Sequence, residues 1–145
     1  MFYIATDHAG HHLKKDLEQY FKNTEMEYED LGNKTYDEKD DFVDFAVILA
    51  KKVAETGNKG ILICGSGHGM CIAANKIKGI RAVVGYNISG TELGRKHNDA
   101  NVLCLAGRVI TKDHAQAIIK TFLNTEFAGE ERFIRRNQKI SELEG

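Results

Sequence analysis

The run Ile63-Cys64-Gly65-Ser66-Gly67-His68-Gly69-Met70 sets one thiol at the head of three glycines on alternate positions. Glycine has no Cβ, so successive backbone N–H groups can converge on a point that other residues would obstruct. Between a strand and the first turn of a helix, such a loop is an anion-binding nest, and a thiolate at its start is stabilised there. Three better-known loops do not fit. The glycines lack the G-x-G-x-x-G spacing, and no acidic residue follows about 20 positions on, which argues against a dinucleotide. No Gly-Lys-Ser/Thr closes the run, as a nucleotide phosphate loop requires. A thiol phosphatase loop needs an arginine at its far end, where this chain has Met70. The alternative to a reactive loop is a tight turn beside a buried cysteine.

Other residues could join that chemistry. Asp7-His8 is followed by His11 and His12. This stretch lacks the ligand spacing of a metal site, and its plain alternative is a helix-capping Asp7 with solvated histidines. Arg132 and Arg136, four apart, share a face of one helix, and Arg108 comes from another part of the chain. Guanidinium groups from separate elements can clamp a phosphate dianion, or simply form a solvated basic face. His97, in His97-Asn98-Asp99, has the side chain for proton transfer near neutral pH, and would equally suit a helix C-terminus. Cys71 and Cys104 sit in apolar settings and read as core residues.

The elements that must position these groups follow from hydrophobic spacing. Strands are predicted over Phe2–Thr6, Tyr28–Leu31, Gly60–Ile63, Arg81–Tyr86 and Val102–Ala106. Helices are predicted from Leu13 through Phe21, over Asp44–Glu55, Met70–Lys76, Ser89–Asn98 (capped by Ser89) and Lys112–Leu123, and from about Glu130 to Glu144. Strict alternation of strand and helix implies parallel pairing with helices on both faces. Ligands of such sheets bind beyond the carboxyl ends of the strands. The residues there are Asp7-His8, Cys64 to Gly69, and Gly107-Arg108.

The 145 residues are expected to form one domain, 1–145, since 42% are hydrophobic and supply an ordinary core. A net charge of −1 argues against nucleic-acid or anionic-membrane partners, which call for a basic excess. No segment reads as a signal peptide or a membrane span, and three cysteines are an odd number without metal-ligand spacing. The expectation is a cytoplasmic protein with reduced thiols.

Taken together, the motifs resemble the ribose-5-phosphate isomerase B family. They are Asp7-His8-Ala9-Gly10 with Leu13-Lys14, the Cys64 loop with Ile72-Ala73-Ala74-Asn75-Lys76, Gly79-Ile80-Arg81-Ala82, His97-Asn98-Asp99-Ala100-Asn101, and Gly107-Arg108. They span nearly the whole chain in order. The resemblance implies an α/β, Rossmann-like three-layer sandwich around a five-stranded parallel sheet, with an extra C-terminal helix for dimer packing. It implies homodimers, sometimes paired into tetramers, with active sites at the subunit boundary. The implied reaction is aldose–ketose isomerisation of ribose 5-phosphate and ribulose 5-phosphate in the pentose phosphate pathway, with no cofactor or metal. The alternatives are a six-carbon sugar phosphate as substrate, such as allose 6-phosphate or galactose 6-phosphate, and a non-catalytic sugar-phosphate-binding subunit.

Residue by residue, the resemblance implies Cys64 as base, because the branch using a Glu in its place carries it where this chain has Met70. His97 would open the sugar ring and Asp7 move a hydroxyl proton. The amides of Gly65, Ser66, Gly67, His68 and Gly69 would hold the enediolate. Asn98 would bind a sugar hydroxyl, and His8, Arg108, Arg132 and Arg136 the phosphate. The chain departs from the family at Phe42-Val43, usually Tyr-Pro, and at Phe133, often His. Phe133, Ile140 and Leu143 suggest an apolar stripe on the last helix that a second subunit would cover. On that basis His97 and Arg108 are expected to act on a sugar held by the other chain's Cys64 loop.

Overall fold

The structure, a computed structural model, describes residues 1–145. Its strands are β1 (Phe2–Thr6), β2 (Tyr28–Asp30), β3 (Gly60–Cys64), β4 (Ala82–Val84) and β5 (Val102–Ala106). All pair in parallel, in the order β2-β1-β3-β5-β4. The helices are α1 (His11–Asn23), α2 (Phe42–Thr56), α3 (His68–Asn75), α4 (Ile88–Asn98), α5 (Lys112–Asn124) and α6 (Glu131–Glu142), with a short 3-10 turn at His8–Gly10. This is the parallel sheet with helices on both faces expected from the alternation, and the Rossmann-like α/β architecture that the family resemblance implies.

β1, β3 and β5 are buried at every position because helices cover both faces of the sheet there, whereas edge strand β2 carries the exposed Glu29. Successive side chains leave a strand on opposite sides, so Ile61 and Ile63 join one core and Leu62 and Cys64 the other. The first core is closed by Leu13, Leu17 and Phe21 of α1 and by Ile118, Ile119 and Phe122 of α5. The second is closed by Leu49 and Val53 of α2 and by Met70 and Ala74 of α3. At the β4 edge, α4 packs on α5 and β4, and α6 packs on α4.

Several boundaries differ from expectation, and three of the differences have a clear local reason. β4 is shorter than Arg81–Tyr86. The Arg81 amide donates to Asn101 Oδ1 at 2.7 Å, and Tyr86 turns away so that its hydroxyl reaches Ser66 O. The α4 cap is Asn87, not Ser89: Asn87 Oδ1 accepts from the Gly90 amide at 2.6 Å. α3 begins at His68 rather than Met70, because Gly67 at φ 81° makes the left-handed turn into the helix. The last three residues of the glycine-rich run, His68 to Met70, are thus the first turn of α3. The apolar stripe on α6 is also divided. Phe133 is buried on its own chain, whereas Ile134, Ile140 and Leu143 are exposed.

Asp7 heads the 3-10 turn, and Gly10 lets that turn lie directly on β3. A Cβ at Gly10 would collide with the Ile63 carbonyl oxygen. Replacing Gly10 by Ala should therefore cost about 1–3 kcal/mol, the range for overpacking a rigid site. Urea unfolding would show this as a lower midpoint at unchanged slope.

Candidate active site

Three loops meet at the carboxyl ends of β1, β3 and β5. The Gly107 amide donates to Cys64 O at 2.7 Å, the Arg108 amide to Gly65 O at 3.1 Å, and the Asp7 amide to Ile63 O at 3.3 Å. They enclose a cleft of about 510 Å³ with Asp7, His8, Cys64 and Arg108 on its polar side and Phe42 and Val109 on its apolar side. Cys64 ends β3 and is 5% exposed, so its thiol faces the cleft from a nearly buried position.

Gly65, Ser66 and Gly69 of the glycine loop line the same cleft, and the loop carries backbone amides without a partner. Those of Ser66, Gly67 and Gly69 donate to no acceptor within the chain, whereas the His68 amide is taken by Ser66 Oγ at 3.3 Å. The loop is held from outside by Tyr86, whose hydroxyl donates to Ser66 O at 2.7 Å and lies 3.1 Å from His68 Nε2. Phe42 lies against Gly69, where a Cβ would sit 2.8 Å from its ring. Phe42 thereby forms an apolar wall beside the nest.

Asp7 is buried, and its Oδ1 accepts from the Gly10 amide at 3.1 Å. Burial raises its carboxyl above the ordinary value. The Gly10 hydrogen bond and the His8 ring offset part of that rise, and nearby Asp40 adds to it. A carboxyl so placed is suited to exchanging a proton with a ligand hydroxyl. Asp40 approaches His8 Nδ1 with Oδ1 at 2.7 Å. Burial works against the charged form of Asp40, but hydrogen bonds from the His8 ring and amide and from Asn33 prevail and hold its carboxyl below the ordinary value. Ligand atoms of Asp7, His8 and Asp40 lie within 4.8 Å of one another, a donor set that could take a metal ion. His8 and Asp40 satisfy each other by hydrogen bonding.

The remaining predicted residues lie elsewhere. α4 runs back against the strands and ends at Asn98, just before β5 begins at Val102, so His97 and Asn98 sit at the amino end of the sheet. Five residues of β5 at ~3.3 Å each put that end on the order of 15 Å from the Cys64 cleft. His97 stacks on Phe133 with ring centroids 4.3 Å apart, and its carbonyl accepts from Asn137 Nδ2 at 3.0 Å. Arg132 also lies over the Phe133 ring, 4.7 Å from its centroid, and its Nε is 3.0 Å from Glu130 Oε2. Arg136 follows one turn on and is exposed. Buried Arg95 fixes this end of α4 through Asp99 Oδ1 at 2.8 Å, Ala100 O at 2.6 Å and Thr125 O at 3.0 Å.

The predicted residues thus divide into two groups at opposite ends of the sheet. Arg108 corrects the expectation that pairs it with His97 against another chain's loop. Its Cδ comes within 3.5 Å of where a Gly65 Cβ would be, so it lies in the cleft of its own Cys64. Two residues around this cleft had no signal in the sequence. Asp40 lies in an acidic stretch of irregular structure, and Tyr86 stands past a strand end. Only tertiary contact gives either one a partner.

Residues 2–140 match the family described as ribose/galactose isomerase. The probable ribose-5-phosphate isomerase B of Mycoplasma genitalium is 42% identical over 144 residues, covering 98% of this chain and 94% of that protein. The Mycobacterium tuberculosis ribose-5-phosphate isomerase B is 36% identical over 143 residues, covering 98% and 88%. Among solved structures, the Clostridium thermocellum ribose-5-phosphate isomerase B superposes with a TM-score of 0.93 at 40% identity, covering 99% of this chain and 96% of that one. The Mycoplasma genitalium enzyme with bound ribulose 5-phosphate gives 0.92 at 41% identity, covering 99% and 95%.

The electrostatics of Asp7 have a measurable sign. A carboxyl whose folded pKa is raised binds its proton more tightly in the folded state. It therefore withdraws stability as pH rises through the acid range, and the whole cost is present once it is ionised. Asp7→Asn keeps an oxygen for the Gly10 amide and removes that cost. Its melting temperature should exceed that of the unsubstituted chain at neutral pH, and the gap should close on acidification. A variant less stable at neutral pH would contradict this account.

Proposed function

The chain belongs to the ribose/galactose isomerase family, and from that premise we propose that it interconverts ribose 5-phosphate and ribulose 5-phosphate through an enediolate. The observation that carries this is the cleft itself. A nearly buried thiol, a buried carboxyl, an imidazole and a guanidinium surround a loop of free amides, in a fold that superposes on an enzyme holding ribulose 5-phosphate.

The reaction moves a proton between C2 and C1 of the open-chain sugar. Cys64, as thiolate, takes it. The free amides of Ser66, Gly67 and Gly69 face the oxygen on which charge develops. Losing one such donor typically costs about 3 kcal/mol in the barrier. Asp7 passes a proton to or from the adjacent hydroxyl. His8 and Arg108 hold the phosphate, fixing the reacting carbon against the sulfur. Cys71 and Cys104 take no part.

His97, Asn98, Arg132 and Arg136 complete the site from a second copy of the chain. The separation of the two groups within one chain supports this, since His97 cannot reach a sugar on its own Cys64. The exposed Ile134, Ile140 and Leu143 on α6 supply apolar surface for the pairing. From the partner, His97 opens the furanose ring, Asn98 binds a hydroxyl, and the two arginines close on the phosphate. The same assembly, a cytoplasmic homodimer, suits the reduced thiol that the base requires. No helix is long and apolar enough to cross a membrane.

Purified protein given ribose 5-phosphate should form ribulose 5-phosphate, and should do so faster than it turns over allose 6-phosphate. Cys64→Ala should lower turnover at least 100-fold, the scale of acid–base groups, while still binding inorganic phosphate; near-normal turnover would remove Cys64 from its role. The shared site has its own test. Cys64→Ala chains mixed with His97→Asn chains should regain activity, because one cleft of each mixed pair receives intact residues from both. Mixed pairs that form and stay inactive would overturn the shared site.

A further inference from the structure

We propose that Asp40 is a positioning residue of the reaction, orienting His8 so that its Nε2 is the nitrogen presented to the phosphate. The inference rests on the assignment of His8 as a phosphate ligand. It goes beyond that assignment by naming the group that sets the ring.

The geometry is specific to one carboxylate oxygen. Asp40 Oδ1 accepts from the His8 backbone amide at 3.1 Å and lies 2.7 Å from His8 Nδ1. Its Oδ2 accepts from Asn33 Nδ2 at 3.2 Å. The Asp40 side chain is 5% exposed, against 24% for His8, so the carboxylate lies behind the ring and the ring faces the cleft. A carboxylate withdrawn from water is tolerated only when its oxygens are satisfied. Here three donors do so, and two of them belong to His8.

The support beneath Asp40 is equally built. The segment between β2 and α2 has no regular structure, yet it is tied at its start by buried Lys14. Lys14 Nζ donates to Asp30 Oδ2 at 2.6 Å and to Asn33 O at 3.2 Å. Asp30 Oδ1 in turn accepts from the Gly32 amide at 2.9 Å. A charge on α1 thereby fixes Asn33, and Asn33 fixes Asp40. The Tyr36 ring, on the same segment, lies edge-on to His8 with centroids 6.3 Å apart.

The chemical consequence concerns which nitrogen is free. An ionised carboxylate only accepts hydrogen bonds, so Nδ1 must carry a proton toward Asp40. Nε2 is left to the ligand, and the ring is held at one angle. A group that orients an imidazole from behind in this way fixes its tautomer and its direction of donation. Without Asp40, His8 could rotate or present either nitrogen, and its hold on a phosphate would weaken. The thiol and the amide nest, built from other loops, would be unchanged.

A double-mutant cycle separates this from a purely structural role. Asp40→Asn, His8→Gln and the double variant would be compared in KM and kcat for ribose 5-phosphate, and in the dissociation constant of inorganic phosphate. Asp40→Asn should raise KM and the phosphate constant about tenfold, within the coupling range of one hydrogen-bond network, with kcat changed less than about threefold. In the His8→Gln background the same change should add less than about twofold. Equal losses in both backgrounds, or no loss in the single variant, would overturn the proposal. Nitrogen chemical shifts of the His8 ring in the unsubstituted protein provide a reading that needs no variant to fold. A proton on Nδ1 is expected, and a neutral ring protonated only at Nε2 would refute the orientation. If the protein proves inert on ribose 5-phosphate, the phosphate constants still complete the cycle, so this inference and the proposed reaction can fail separately.

Discussion

The close approach of three backbone segments at the carboxyl ends of β1, β3 and β5 decides nearly everything about the cleft. Gly10 rests on the Ile63 carbonyl, and a Cβ at Gly107 would sit 3.0 Å from Ala9 O. At such distances no side chain intervenes, and backbone hydrogen bonds lock one loop to the next. The thiol of Cys64, the carboxyl of Asp7 and the guanidinium of Arg108 are then placed by main-chain geometry. Sites held this way keep their spacing without help from flexible side chains. The two apolar cores serve this arrangement by fixing the strand ends from both faces of the sheet.

Polar networks take over where the cores stop. Lys14 with Asp30, Arg95 with Asp99, and His8 with Asp40 each tie a helix or a turn to a strand end or a loop. Each contains a buried or half-buried charge that would be strongly destabilising alone, since removing one partner strands the other. Their locations are informative. One pair steadies the segment beneath the cleft, one holds the end of α4 that carries His97, and one sets a ring within the cleft itself.

Much of this was legible in the sequence. Four apolar runs and one weaker strand, separated by amphipathic helices, specify the parallel sheet, because burial on both faces leaves nearly continuous apolar strands. The glycines after β3 and the Asp-His after β1 stand where such sheets bind ligands. Other features leave no such record. Asn87, not Ser89, caps α4, a choice between neighbours made by the chain's path out of β4. Phe133 reads as one member of an exposed stripe until its stacking on His97 is seen. Asp40 is one acid among several between Asp37 and Asp44. Arg108 belongs with its own Cys64 because two backbone bonds turn its loop inward. These are tertiary choices among locally equivalent options, which spacing alone does not rank.

The placement of α4 gives the molecule a mechanical property. Tyr86, just before this helix, grips the Ser66 carbonyl of the glycine loop, and His97 lies in its last turn. Eleven residues at ~1.5 Å each make a stiff rod about 16 Å long between them. In the proposed pair of chains, one end of the rod feels its own cleft and the other end reaches into the neighbour's. A sugar that tightens one glycine loop would pull on Tyr86 and shift the histidine serving the opposite cleft. The two catalytic centres would then sense each other's occupancy, with a single helix as the connecting lever.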